Sequence, residues 1–349
     1  MAVALLYLAA CASPSYYSQA ISGHRDLMRQ RKDIAEILDS GSASPELTHQ
    51  LKLAVEIRQF AVTRLQLPDN ASYTQFVETG RDAVTWNVVA APEFSLSPRR
   101  WCFLVSGCVP YRGYFKLQNA QDFAAKLHRA GDDTAVSPVI AYSTLGWFDD
   151  PLLDTMFQYS DEQLAAFIFH ELAHQELYVS GDTTFNESYA SFIEETGVRL
   201  WLESSGREKQ LPGWLKLQST GPQFNALLQE TQKKLEAIYT SGLPEESMRK
   251  AKSTVFEDLR VSYGLMVEEQ WEGRSYFASL FSRELNNASL ALVNSYRGGS
   301  CAFEKLYREA GRDMARFQNL AASRAKMGKE QRQAWLGQPC EVIAPGGNL

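Results

Sequence analysis

Phe169-His170-Glu171-Leu172-Ala173-His174 is an H-E-x-x-H run, and its reading decides what fold to expect of the whole chain. The run lies in a strongly helical segment. Positions four apart on a helix share one face, so His170 and His174 can grip one metal ion together. Zinc takes imidazole nitrogen at about 2 Å, and three protein ligands leave a fourth position for water. Glu171, about 100° round the helix, is placed to take a proton from that water. The chain has only 5 histidines, so the pattern is not a by-product of a histidine-rich composition. The competing reading is a pair of hydrogen-bonded histidines on a buried helix. Ser160-Asp161-Glu162-Gln163 reads as a capping box, and Leu164 to Phe169 is almost wholly apolar. Together they predict a buried helix that stops near Ser180-Gly181.

A third ligand must come from elsewhere. No histidine follows His174, which excludes the H-E-x-x-H-x-x-G-x-x-H pattern and calls for a carboxylate from the next helix. Asn186-Glu187-Ser188-Tyr189-Ala190 opens such a helix, and residues 175–186 are enough for a turn and an antiparallel return. Two readings of Glu187 stand side by side. It is the third ligand, or it caps its own helix, since Thr184-Phe185-Asn186-Glu187 is also a capping box. Glu194, seven residues further on the same face, is either an outer partner of a ligand or the substitute ligand.

Several stretches carry a resemblance. His170-Glu171-x-x-His174 followed by Asn186-Glu187 is similar to the gluzincin arrangement of thermolysin and the large zinc aminopeptidases. Trp101-Cys102-Phe103, Gly107-Cys108-Val109, Tyr111 to Phe115, Ala141 to Phe148 and Asn286-Asn287-Ala288 resemble a bacterial family of zinc aminopeptidases, usually lipoproteins. The similarity runs from about Tyr16 to past Tyr307, with one departure at Leu104, where the family has proline. The resemblance implies zinc peptidase chemistry on a peptide substrate, with one Zn2+ per chain. It makes His170, His174 and Glu187 the ligands and Glu171 the general base and acid. Alternatives are an endopeptidase of the cell envelope, or a degenerate zincin acting as a binding module.

The expected fold is α+β and mainly helical: a zincin-like catalytic core with a small mixed β-sheet before the H-E-x-x-H helix. Residues 12–349 are read as a single domain. It would have N-terminal helices at 16–67, a sheet at 84–145, metal-site helices at 160–205 and a helical part at 220–340. Strands are expected near Val84–Ala90, Trp101–Val105, Val109–Phe115 and Val136–Ser143, with a helix at Ala120–Ala130. Later helices are expected from Pro222 to Thr240, Pro244 to about Ser282, and Leu285 to Tyr296. Ala141 to Gly146, which includes Tyr142, is the candidate edge strand for holding a peptide by its main chain, with an ordinary buried strand as the alternative.

Weaker candidates surround this centre. Peptide hydrolysis generates an oxyanion, and gluzincins commonly supply a Tyr or His donor to it. With no His downstream, Tyr263 and Tyr296 are the candidates. Asn286 and Asn287 either cap the helix that follows or contact substrate backbone. An aminopeptidase also needs a carboxylate for the substrate's α-ammonium. The G-x-M-E-N segment that supplies it in the large aminopeptidases is absent, leaving Asp149 and Asp150, which read equally as a turn before Pro151.

Composition bounds the rest. Hydrophobic content of 45% and charged content of 22% are ordinary for a globular protein. A net charge of −6 with no basic run argues against nucleic acid as a partner. The apolar run Ala2 to Ala10 is too short for a bilayer, which takes about 20 residues. Leu8-Ala9-Ala10-Cys11 instead has the form of a lipobox with Cys11 as the lipidated residue; a frayed apolar tail is the other reading. The basic segment of a signal peptide is missing, so the start is expected to be truncated or misplaced. On the lipobox reading residues 1–11 are a signal remnant, and the protein is an exported lipoprotein of the bacterial envelope facing the periplasm. Cys102, Cys108, Cys301 and Cys340 remain, an even number suited to disulfides, with 102–108 and 301–340 one of three possible pairings.

Overall fold

The structure, a computed structural model, describes residues 14–103, 107–141, 149–291 and 300–338. Cys11, Tyr142, Tyr296 and Cys340 lie outside the described residues, as does most of the expected edge strand. The elements in chain order begin with α1 (Pro14–Arg29), β1 (Lys32–Asp33), α2 (Ile34–Ser40), α3 (Pro45–Leu65), β2 (Gln75–Val77) and β3 (Thr85–Pro92). Next come β4 (Trp101–Phe103), β5 (Gly107–Val109), β6 (Arg112–Tyr114), α4 (Leu117–Arg129), β7 (Asp132–Val139) and β8 (Leu152–Leu153). The remainder is helical: α5 (Asp161–Glu176), α6 (Thr183–Ser204), α7 (Leu211–Tyr239), α8 (Glu245–Gln270), α9 (Ala278–Phe281) and α10 (Asn287–Ala291). α11 (Ser300–Glu309), α12 (Met314–Ala325) and α13 (Lys329–Leu336) complete the chain. The fold class is α+β, mainly helical. Among the described residues no helix is long and apolar enough to cross a membrane.

The chain divides into two compact units. Unit 1 takes its described residues from Met1–Arg29, Arg81–Ile140 and Leu215–Ser295, and unit 2 from Gln30–Gly80, Ala141–Trp214 and Tyr296–Leu349.

Unit 1 contains the antiparallel sheet β6-β3-β7, in which Val88 faces Arg112 on one side and Val136 on the other. Val88, Tyr114, Ala120 and Ala124 form the core between this sheet and α4. The expected strand at Val109–Phe115 is broken in two, because Gly107–Val109 turns back to pair with Trp101–Phe103. Cys102 faces Cys108 across that pair, and the two are joined in a disulfide. Cys301, in unit 2, is also disulfide-bonded. The helical part of unit 1 is built on α7 and α8 around Phe224, Leu228, Leu235, Leu259, Tyr263 and Trp271. α7 starts well before Pro222, which the sequence suggests as its first residue. Pro212 suits the first turn of a helix, whereas Pro222 lies inside it, where proline removes a hydrogen-bond donor and crowds the carbonyl one turn back; the helix continues through it.

Unit 2 is a helical assembly in which α5 packs on α3 and α6. Phe60 of α3 meets Phe169 of α5 with ring centroids 5.9 Å apart. Phe303 of α11 sits among Phe185, Tyr189 and Phe192 of α6, Phe317 of α12 and Trp335 of α13. A small mixed sheet, β1-β2-β8, precedes α5: β1 is antiparallel to β2, and β2 is parallel to β8. The strand-rich stretch expected to accompany the H-E-x-x-H helix belongs to unit 1. The sheet of unit 2 is made instead of strands two or three residues long, too short to give a readable alternation.

Candidate metal centre

α5 opens at its capping box. Ser160 Oγ accepts from the Gln163 N–H at 3.4 Å, and Gln163 Oε1 accepts from the Ser160 N–H at 3.2 Å. Leu164, Ala165, Ile168, Phe169, Leu172 and Ala173 are buried, which fixes the rotation of the helix about its axis. His170 and His174 then fall on the side that meets α6.

α6 begins two residues earlier than the box Thr184–Glu187 suggests. Its N-cap is Asp182, whose carboxylate accepts from the Phe185 N–H at 3.3 Å. Asp182 is itself held by Arg332 Nε at 2.8 Å. Glu187 is therefore more than a turn inside the helix, and the capping reading of it is corrected: the cap's place is already taken. Asn186 ties the preceding turn, accepting from the Val179 N–H at 2.8 Å and donating to the Val179 carbonyl at 2.9 Å. Gly197 lets the two helices close. A Cβ there would stand 2.8 Å from Phe169 Cδ2 and 2.7 Å from Leu65 Cδ1, nearer than side chains approach without something shifting.

These constraints bring three side chains together. His174 Nε2 lies 3.2 Å from His170 Nε2, and the Glu187 carboxylate lies 3.4 Å from His170 Nε2 and 3.6 Å from His174 Nε2. A tetrahedral ion with bonds of about 2.0–2.1 Å separates its ligand atoms by about 3.3–3.4 Å. The donor set and its spacing fit a metal ion, and this group is one that could hold it. Glu187 Oε2 is buried without a hydrogen bond, and so is His174 Nδ1. Buried polar atoms of this kind are uncommon in a finished structural network.

Glu194, two turns along α6 from Glu187, stands behind His170, with Oε2 3.0 Å from Nδ1. This leaves His170 Nε2 to face Glu187 and His174, and fixes the ring's orientation. The electrostatics of the pair are split. Burial works against a charged His170, but the carboxylates of Glu187 and Glu194 outweigh it and push the ring up to about 10. Burial and then the charge on His170 push His174 down to about 4.

Glu171 is half-buried on the neighbouring face of α5. The other described sequence candidates are divided between the two units. Tyr263 lies in the core of unit 1, stacked on Phe281 at 3.8 Å between centroids, with its hydroxyl buried. Asn287 also belongs to unit 1. It donates to the Pro92 and Glu93 carbonyls at 3.2 and 2.9 Å, while Asn286 Oδ1 accepts from the Ser289 N–H at 3.0 Å as a helix cap. Asp149 is exposed, and Asp150 in unit 2 is fully buried at 0%. Reading by motif overlooks Asp182, because it acts through Phe185 and the distant Arg332 and belongs to no spaced pattern.

Residues 15–336 match the protein family described as "Putative aminopeptidase", and the chain belongs to that family. No curated protein and no solved structure gives a significant match.

Proposed function

We propose that the protein is a zinc-dependent aminopeptidase of gluzincin type, with His170, His174 and Glu187 as metal ligands and Glu171 as general base. The observation that carries this reading is the convergence, within 3.2–3.6 Å, of the two Nε2 atoms on the helix that also bears Glu171 with the Glu187 carboxylate of α6. Membership of the aminopeptidase family supports peptides as the substrate class.

The residues divide the work. Glu194 holds His170 through Nδ1, so that Nε2 is presented to the metal position. A divalent ion there supplies Lewis acidity, polarising a peptide carbonyl and lowering the pKa of water. Glu171 takes a proton from the attacking water and delivers it to the leaving amine, so one carboxylate serves as base and then as acid. Export and anchoring through Cys11 are part of the same reading. Leu8-Ala9-Ala10-Cys11 supports them, and the Cys102–Cys108 disulfide fits an oxidising compartment.

The test pairs metal analysis with hydrolysis. Purified protein is expected to carry about one zinc per chain, lost in Glu187→Ala and kept in Glu171→Gln. Aminoacyl 4-nitroanilides should be cleaved by the wild type and about 10²–10⁴-fold more slowly by Glu171→Gln. Wild-type protein that takes up no zinc when supplied with it would end this reading. Equal cleavage of peptides with a blocked N-terminus would replace the aminopeptidase with an endopeptidase.

A further inference from the structure

The start of α6 is held by a residue distant in sequence. Arg332 of α13 donates from Nε to Asp182 Oδ2 at 2.8 Å, and from Nη1 to the Ala325 carbonyl at 3.2 Å and to the Met327 carbonyl. One guanidinium thus joins the carboxylate that caps α6 to carbonyls at and just past the end of α12. Both side chains of the pair are almost wholly buried, with Arg332 8% exposed and Asp182 2%. A buried ion pair adds little net stability, because the cost of desolvating both charges offsets their attraction. α13 also has apolar anchors of its own, since the Trp335 ring lies 4.9 Å from Phe303 and 6.4 Å from Phe185 between centroids. What the ion pair adds is direction.

Asp182 stands at the centre of the turn that leads from α5 into α6. Its Oδ1 accepts from the Phe185 N–H at 3.3 Å, and its carbonyl accepts from the Asn186 N–H at 3.1 Å. Its own N–H donates to the Val179 carbonyl at 3.2 Å. Asn186 closes the same turn through both backbone groups of Val179. Lys329, also of α13, adds a bond from Nζ to the Gly181 carbonyl at 3.4 Å. Glu187 is the next residue after Asn186, and its Oε2 has no hydrogen bond. The place of that carboxylate opposite the histidines is therefore set by the backbone that carries it, and this backbone is pinned at Asp182.

We infer that Arg332 is a positioning residue for Glu187: by fixing Asp182 it sets where α6 begins and, through the turn closed by Asn186, where the Glu187 carboxylate meets His170 and His174. This rests on the reading of Glu187 as a metal ligand, and it brings α13 into a site otherwise built on α5 and α6.

Metal binding by the full chain tests it with a readout that needs no activity. Arg332→Met keeps an apolar stem against Phe185 but no donor, and Asp182→Asn keeps an acceptor for the Phe185 N–H but no charge. The double variant strands no buried charge, so its metal-free Tm is expected to stay close to that of the wild type. Its zinc affinity, read by competition with a chelator, should nevertheless fall about tenfold. The visible absorption band of its cobalt-saturated form should differ from the wild-type band in position or intensity. Arg332→Lys, which keeps a cation beside Asp182, should lie between the two. The cobalt band decides, because it is read on folded protein at saturation and does not follow stability. A band identical to the wild type's would overturn the proposal, whatever the Tm, and leave the pair a fastening for α13. If the double variant does not fold, Asp182→Asn alone carries the same comparison. A wild type that takes up neither zinc nor cobalt would end the metal reading of the site and this proposal with it. A wild type that binds them, beside variants that keep its band, overturns this proposal alone.

Discussion

Each unit buries a polar cluster, and the two are finished differently. In unit 1, Lys252 Nζ donates to Asp133 Oδ2 at 2.6 Å and to the Glu93 carbonyl at 2.8 Å. Asn287 donates through its backbone N–H to Asp133 Oδ2 at 2.9 Å, and its Oδ1 accepts from the Tyr239 hydroxyl at 2.7 Å. None of the side-chain atoms in this cluster is among the buried atoms left without a partner. In unit 2, the two histidines and Glu187 crowd their ligand atoms into one small volume and leave Glu187 Oε2 and His174 Nδ1 without hydrogen bonds. A network whose donors and acceptors cancel holds a fold together. A network with acceptors left over is suited to receive something.

The largest test of that contrast removes one carboxylate from each cluster. Asp133→Ala strands the buried Lys252 ammonium and is expected to cost about 3–5 kcal/mol in urea unfolding. Glu187→Ala, measured on metal-free protein, should cost less, because the His170 ring that loses this carboxylate at 3.4 Å keeps Glu194 at 3.0 Å from Nδ1. Similar losses in the two would erase the distinction. Glu194→Gln tests the outer partner of His170. Zinc affinity, read by competition with a chelator, should fall about 10–100-fold, with the unfolding midpoint of metal-free protein little changed.

Two glycines sharpen the comparison at the level of packing. Gly197 on α6 has no room for a methyl group, while a Cβ at Gly264 on α8 would meet nothing within 4 Å. Gly197→Ala is expected to destabilise by about 1–3 kcal/mol and to weaken zinc binding through the α5–α6 spacing. Gly264→Ala should instead stabilise by about 0.5–1 kcal/mol, from helix propensity alone. The same sign at both positions would mean that the close approach of α5 and α6 is not what holds the site together.

The smallest effect lies at the rim of unit 2. Arg207 bonds Glu56 at 2.6 and 3.0 Å, and Trp201 Nε1 adds a bond at 3.1 Å; the Arg207 bond foremost holds the Glu56 carboxyl below its ordinary value. A carboxylate lowered on folding adds stability above its unfolded value and loses it as pH falls through the folded one. Glu56→Gln should therefore lower Tm slightly at pH 7, and the gap to the wild type should close as pH falls below the ordinary carboxylate range. A gap that persists at low pH would assign the effect to packing on Trp201.

How much was legible follows from where each constraint is written. The H-E-x-x-H face and the capping box at Ser160 are local, and hydrogen bonds and apolar periodicity within a few residues are enough to set them. The start of α5 is therefore readable from the sequence, while its end is not: the helix stops at Glu176, a turn before the expected Ser180-Gly181. Glu187 was legible only as a choice between ligand and cap. The choice turns on Asp182, which takes the cap in the company of Arg332, a residue distant in sequence. β-branched density shows where the strands at 85–92 and 132–139 lie, but not that contacts group them in a different compact unit from α5.

By itself the sequence determined the α+β class and the helix that presents His170, Glu171 and His174. Only the tertiary structure decided which carboxylate joins the histidines and that Glu194 stands behind His170. The physical reason is range. Helix periodicity and capping act over three or four residues, whereas the spacing of α5 and α6 and the Arg332–Asp182 contact at the α6 cap depend on residues far apart in the chain.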